Sequence, residues 1–298
     1  MTGRYEELAA RIGSVGQLGS VVGALRGIAA SHVQGSRGCL DGVRLYADTI
    51  ASAIAQALAL APDAAEPPRT GHGASVLLLF CAEQGFAGAF TQRVFETAGD
   101  QVRRAHLLLV GRRGPRHATA QGLKAEWSTP AIAHVAGAAA LADRIATELS
   151  RHIGDGKAGT VEMVYTRTLD GSGLRAERVS VLPLDLRRFG RVLERPPPLV
   201  QLDPASLLQR LAIEYLRAQL TEAILQSFAA ENTARMLAMT AARDNIRRTM
   251  EILRREARIA RQQAITDEVV ELTAGTKGLG YDGPPKVEPI ARQAPTQK

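Results

Sequence analysis

From Ala205 to Thr276 the chain has no proline, and its only glycine is Gly275. A run this long without a breaker constrains the fold more than any other feature, because it reads as one continuous helix. Asp203, Pro204 and Ser206 suit helix entry, and Gly275 suits its exit. Met239, Ile246, Leu253 and Ala260 recur at heptad spacing, with Met236, Met250, Ala257 and Ala264 at interleaved positions. That is the seam of a helix that supercoils with a partner. At ~1.5 Å per residue such a helix is on the order of 100 Å long, which predicts a projecting rod.

The partner is found at the other end of the chain. Arg4 to about Leu60 reads as helix, with Leu8, Val15, Val22 and Ala29 on a heptad. Arg11, Leu18 and Leu25 interleave, and Ile12, Val21 and Ile28 widen the apolar face. Glycines at 13, 16, 19, 23 and 27 each cost roughly 1 kcal/mol relative to alanine inside a helix. Either they admit a close partner backbone or they only weaken the helix. The two long helices together predict an antiparallel coiled coil.

Between them the pattern changes. Ser75–Cys81, His106–Gly111, Thr160–Thr166 and Arg175–Pro183 read as strands, the last two joined as a hairpin at Asp170-Gly171. Helices are expected from Phe90 to about Arg104 and from Ala136 to His152. Strands alternating with helices imply a small, mostly parallel sheet. The fold class is therefore α/β, a long antiparallel coiled coil carrying a small globular α/β domain. The expected divisions are 1–60 for the first helix, 61–73 for a linker and 74–186 for the globular domain. A Pro-rich linker then covers 187–203, the second long helix 204–276 and a flexible tail 277–298.

Composition narrows the function. A net charge of +7 and a pI near 9.8 predict an acidic partner, with nucleic acid the default candidate. Against that, Asp244, Glu251 and Glu256 interrupt the arginine run of the C-terminal helix, and no aromatic stacking platform sits beside it. The N-terminal Met-Thr-Gly-Arg-Tyr-Glu-Glu is no secretion signal. Uncharged stretches such as Thr49–Pro62 and Ser128–Ala142 are too short to span a bilayer, so the expectation is a soluble chain. Cys39 and Cys81 are isolated, and the six histidines are scattered with no carboxylate at ligand spacing. The turn Gln84-Gly-Phe-Ala-Gly88 lies between a strand and a helix, where a phosphate cradle is conceivable. With no G-x-G-x-x-G or P-loop pattern, it reads as a tight turn. Glu231, Arg235, Glu268 and Glu271 read as solvated-face or partner-pairing residues. No cofactor, metal or active site is expected, and a small α/β enzyme fails for lack of a convergent polar site.

Two blocks in the C-terminal helix carry a resemblance. The run Ala229-Ala-Glu-Asn-Thr-Ala-Arg-Met-Leu-Ala-Met-Thr-Ala-Ala-Arg-Asp-Asn245 and the run Ala260-Arg-Gln-Gln-Ala-Ile-Thr-Asp-Glu-Val-Val-Glu-Leu272 are similar to the C-terminal helix of the γ subunit of F-type ATP synthases. Leu8–Val15 and Val21–Ser31 resemble that family's N-terminal helix, although its usual Lys-Ala-Met is here Gly23-Ala24-Leu25, in a region tied to coupling. Glu83-Gln-Gly-Phe-Ala-Gly88 resembles the block after the first strand of the family's globular domain, with Gly85 and Gly88 kept. Its form is similar to that of an alternative branch of bacterial F-type ATPases, some proposed to pump sodium. The tail after Leu279 lies beyond the family's usual end.

The resemblance implies a non-catalytic rotor shaft, turned by proton or sodium flow inside a ring of α and β subunits that make or hydrolyse ATP. It implies a base docked on the ε subunit and the membrane ring of c subunits. The location implied is peripheral, at the cytoplasmic face of the bacterial inner membrane. Glu231, Arg235, Met239, Arg261, Gln262, Thr266, Glu268 and Glu271 match positions that couple rotation to catalysis, so replacing Arg235 or Glu268 is expected to impair coupling more than folding. Ala264, Ile265, Val269, Val270 and Leu272 are expected to form a low-adhesion bearing. The arginines from Arg243 to Arg261 are expected to face acidic loops of the ring. The alternative is a basic coiled-coil protein that binds nucleic acid.

Overall fold

The computed structural model describes residues 2–60, 75–154, 159–169, 173–190 and 199–278. The expected linker 61–73, the hairpin turn at Asp170-Gly171, the Pro196–Pro198 run and the tail beyond Gly278 lie outside the described residues. The elements are α1 (Thr2–Leu60), β1 (Ser75–Phe80), α2 (Phe90–Ala98), β2 (His106–Val110), α3 (Arg113–Ala120), β3 (Trp127–Thr129), α4 (Ala138–Gly154), β4 (Thr160–Thr168), β5 (Leu174–Leu182) and α5 (Pro204–Gly278). The chain divides into two compact units, 20–244 and 1–19 with 245–298, and both long helices contribute to both.

In the larger unit the sheet order is β3-β2-β1-β4-β5. The first four strands are parallel and β5 is antiparallel to β4. β1 and β2 are near-continuous apolar runs because both faces of the sheet are covered. Val76, Leu78, Phe80 and Leu108 pack on α4 through Leu141 and Ile145, and on α5 through Leu220, Ile224 and Phe228. Leu77, Leu79 and Leu107 pack on Val94 and Phe95 of α2, with Ala230 of α5 in the same cluster. A third cluster joins Ile54, Ala57 and Leu58 of α1 to Leu208 near the start of α5. The pairing of late α1 with early α5, and of His32 with Asn232, makes the helix pair antiparallel.

The start of α5 follows the sequence signal. Asp203 caps it, its Oδ2 accepting the Ser206 N–H at 3.0 Å, and Pro204 occupies the first helical position. A 3-10 turn, Leu186–Phe189, enters the expected linker 187–203, and its Phe189 meets Tyr215 edge-on at 5.0 Å. The expected helix to Arg104 stops at Ala98, where Gly99 turns with φ 60° into a 3-10 segment, Gly99–Arg103.

In the smaller unit Leu8, Ile12, Val15 and Gly19 of α1 are half-buried, as are Ile246, Met250 and Ala260 of α5, while Leu253 and Ala257 are buried. The heptads are as read, as are the interleaved residues of α5 and Leu25 of α1, but the first two interleaved positions of α1 are not. Arg11 and Leu18 are exposed, and Ile12 and Gly19 take their place. Among these glycines Gly19 is the one that faces the partner helix, where a Cβ would touch Ile246 Cγ2 at 3.4 Å. Gly13, Gly16, Gly23 and Gly27 face open space. In the larger unit Val22 and Ala29 are buried, while Val21 and Ile28 are 56% and 54% exposed.

By length and composition α1 also contains an 18-residue window of mean hydropathy 1.3, apolar enough to cross a membrane, and only 11% of that window is buried. Counting uncharged runs alone overlooked it.

Candidate functional site

Where α5 passes the sheet it is buried on nearly every side. From Ala223 to Arg235 only Ala234 is less than fully buried. An amphipathic surface helix would place polar residues outward. Here Gln226, Ser227, Glu231, Asn232, Thr233 and Arg235 are all buried, so each polar group needs a partner.

Glu231 and Arg235 find theirs in the turn after β1. The Glu231 carboxylate accepts the backbone N–H of Glu83 at Oε2 and of Gln84 at Oε1, each at 3.0 Å. It also accepts a short bond from Arg235 Nη2. Arg235 Nε donates to the Gly85 carbonyl at 3.2 Å, and Nη1 donates to Asn232 Oδ1 at 2.8 Å. Asn232 Nδ2 donates to the Phe228 carbonyl at 2.9 Å. His32 of α1 approaches Asn232 Oδ1 through Nδ1 at 3.3 Å and packs against Phe228 with ring centroids 5.3 Å apart. One acid and one base on α5 thus grip the backbone of three consecutive residues, in a loop about 150 positions earlier in the chain.

This corrects the solvated-face reading of the pair. At 5% and 7% exposure, Glu231 and Arg235 are bonded within the chain. Burial makes such a pair costly to break: removing one partner leaves an uncompensated charge. Directly below the turn, Cys81 is buried, and burial followed by the Glu231 charge pushes its thiol pKa far up.

The gripped turn favours glycine at Gly88, where φ is +58°, whereas at Gly85 a Cβ would meet only the flexible end of Arg113, with Nη2 at 2.6 Å. Phe86, between them, is a non-glycine residue at φ 62° and is 69% exposed. Beside it is an open cleft of about 470 Å³, lined by Gln84, Phe86, Thr91, Arg113, Arg116 and His117 among others. The turn's backbone N–H groups at 83 and 84 are taken by Glu231, which supports the tight-turn reading over a phosphate cradle.

The other sequence-selected residues are placed differently. Met239, one turn past Arg235, is buried, and Leu25 is half-buried on α1. Arg261, Gln262, Thr266, Glu268 and Glu271 belong to the smaller unit and are all exposed. Thr266 Oγ1 donates to the Gln262 carbonyl at 2.9 Å. Ile265, Val269, Val270 and Leu272 are each more than half exposed. Arg243, Arg247, Arg248, Arg254, Arg255, Arg258 and Arg261 are exposed as well.

Sequence reasoning missed Glu83, Asn232 and His32. The i,i+4 spacing of Glu231 and Arg235 was the available signal. It also missed a histidine cluster. His106 Nδ1 bonds Glu126 Oε1, His152 Nε2 lies 3.5 Å from Glu126 Oε2, and the His106 contact is the main cause lowering the Glu126 pKa. Among the described residues no group of three or more potential ligands could hold a metal ion.

A family model described as ATP synthase matches residues 4–279. An ATP synthase gamma chain of Parafrankia sp. is 27% identical, covering 94% of this chain and 99% of the relative. One of Synechococcus sp. is 30% identical, covering 68% of this chain and 75% of the relative. Among solved structures, a rotor chain of the Euglena gracilis mitochondrial ATP synthase aligns with a TM-score of 0.61 at 11% identity, covering 89% of this chain and all of that one. A central stalk/c-ring chain of the Tetrahymena thermophila enzyme aligns with a TM-score of 0.55 at 20% identity, covering 74% and 99%.

Proposed function

This chain belongs to the ATP synthase gamma family, and from that premise we propose how it works as the enzyme's central rotor shaft. It is a non-catalytic stalk subunit, and the chemistry of ATP is done elsewhere in the complex. The family membership displaces the nucleic-acid reading of the basic charge.

The observation that carries the mechanism is the grip of Glu231 and Arg235 on the turn at 83–85. A shaft must hold its α/β domain firmly, or torque would be lost as slip. Apolar packing alone is non-directional and permits small sliding. Charge-assisted hydrogen bonds to the backbone of three consecutive residues fix register and angle together. The buried pair thus favours specificity of position over stability.

The far end of α5 supports a different task. Ile265, Val269, Val270 and Leu272 offer a thin apolar surface that a surrounding sleeve can contact without locking. The exposed arginines suit acidic loops of that sleeve, since exposed pairs contribute only about 0–1 kcal/mol each and steer without trapping. The partners proposed are a ring of α and β subunits around the shaft, with ε and a membrane ring of c subunits at the α/β domain. The uncovered apolar surface of α1 then lies against the sleeve. The proposed location is the cytoplasmic face of the bacterial inner membrane, with contact made through these partners. Proton or sodium flow would drive the rotation, and Arg261, Gln262, Thr266, Glu268 and Glu271 would pass it to the catalytic subunits.

Co-expression with the neighbouring subunits, followed by affinity purification and native mass spectrometry, tests the assembly. One copy of this chain with three each of two larger subunits is expected, as for a shaft on a symmetry axis. A free chain or a homodimer would overturn it.

A further inference from the structure

We propose that Glu83 is the branch point through which the grip of α5 reaches the other strand ends, making it a positioning residue for the rotor. The proposal rests on the shaft reading.

Glu83 is held from two directions. Its backbone N–H is bonded to Glu231 of α5. Its side chain, only 13% exposed, makes contacts of its own. Oε2 accepts the Arg112 backbone N–H at 3.2 Å and the Ala131 backbone N–H at 2.7 Å. Oε1 lies 2.9 Å from Arg112 Nε. Arg112 follows β2, and Ala131 follows β3. One residue therefore ties α5 to the segments leaving three parallel strands, β1, β2 and β3.

The neighbouring backbone makes the same junction. Arg113 N–H donates to the Ala82 carbonyl at 3.0 Å, and Gly111 N–H donates to the Thr129 carbonyl at 2.8 Å. Gly111, at φ +98°, brings the second turn so close that a Cβ would lie 2.3 Å from the Cys81 carbonyl oxygen. These contacts seat the turns on one another, and the Glu83 carboxylate is the side chain that joins all three.

The chemistry requires an acid. Two N–H donors and a guanidinium converge on the carboxylate, and only an acceptor-only group with two oxygens satisfies all three. A glutamine keeps one oxygen for the two backbone donors but turns an NH₂ toward Arg112 Nε. The junction thus consists of two acids, Glu83 and Glu231, at the two sides of one turn. Each is neutralised by its own arginine, Arg112 and Arg235.

The test uses the assembled complex, with a bead on the α/β domain and the catalytic ring fixed to a surface. Angular fluctuation of the bead reports the stiffness between domain and shaft. Glu83→Ala is expected to raise the angular variance by roughly a doubling, as one of two routes that fix the turn is released. ATP hydrolysis by the ring should stay unchanged. Glu83→Gln, which keeps the backbone acceptor, and Arg112→Ala should each give a smaller rise, and they carry the test if the alanine variant does not assemble. A variance equal to wild type, with only a lower melting temperature, would show that Glu83 merely stabilises the fold and would overturn the proposal. Failure of the unaltered chain to assemble as a single copy would instead sink the shaft reading.

Discussion

Two stretches of α5 show one helix meeting opposite demands. Around Glu231 it is enclosed, charged and hydrogen-bonded to a distant turn. From Ala257 to Leu272 it keeps a narrow seam, with Ala257 buried and Ala260 and Ala264 half-buried, while charged and aliphatic residues alike face outward. A position that must not slip is built from buried ions with fixed directions. The stretch proposed to move past a partner carries small exposed residues instead.

The sharpest test of the contrast is Arg235→Ala. It strands the Glu231 carboxylate in the core, which is expected to cost about 3–5 kcal/mol. Hydrogen exchange of the full chain should show the loss in the amides around Glu83 and Glu231, because opening is local. Cys81 supplies a second readout. Its thiol, held neutral by burial and the Glu231 charge, should resist maleimide at neutral pH while exposed Cys39 reacts. In the Arg235→Ala chain Cys81 should become labelled too. Unchanged protection at both probes would mean that packing alone holds the turn.

In the smaller unit the largest expected loss comes from Leu253→Ala. Leu253 is 4% exposed on a seam between two helices, so its truncation should cost about 2 kcal/mol, near the low end for buried leucines, because a narrow seam can close over the gap. Exchange should quicken on α5 around residue 253. If it cost as much as Arg235→Ala, the two stretches would not differ in the way their burial indicates.

How much of this was legible beforehand follows from which interactions are local. The heptads of Met239–Ala260 and Leu8–Ala29 specify a helix pair without tertiary information. Leu18 was misread as an interface position because an apolar leucine outranks Gly19 on any hydropathy count, although it is the glycine that faces Ile246. β1 and β2 were legible as buried apolar runs. α3 begins Arg-Gly-Pro and β3 has three residues, too few for either to show a period. Glu231 and Arg235 were singled out, but were read as solvated or partner-facing. Their burial is imposed by a turn roughly 150 residues away, which no helical pattern reveals. For the same reason Glu83, an ordinary acid in a loop by sequence, was passed over.

The smallest stability effect should accompany a large functional one. Glu268 is exposed near the end of the described part of α5, and a surface change of this kind usually shifts stability by no more than ~0.5 kcal/mol. Glu268→Gln should therefore leave exchange and melting of the chain as they were. On the proposed reading, in which a partner contacts this exposed charge, it should lower ion pumping per ATP hydrolysed in the assembled complex. Arg235→Ala should do the reverse, loosening the fold first and coupling only as a consequence. Glu268→Gln with unchanged pumping per ATP would show that this end of α5 acts as a bearing alone, and the search for the coupling contact would move to Arg261 and Glu271.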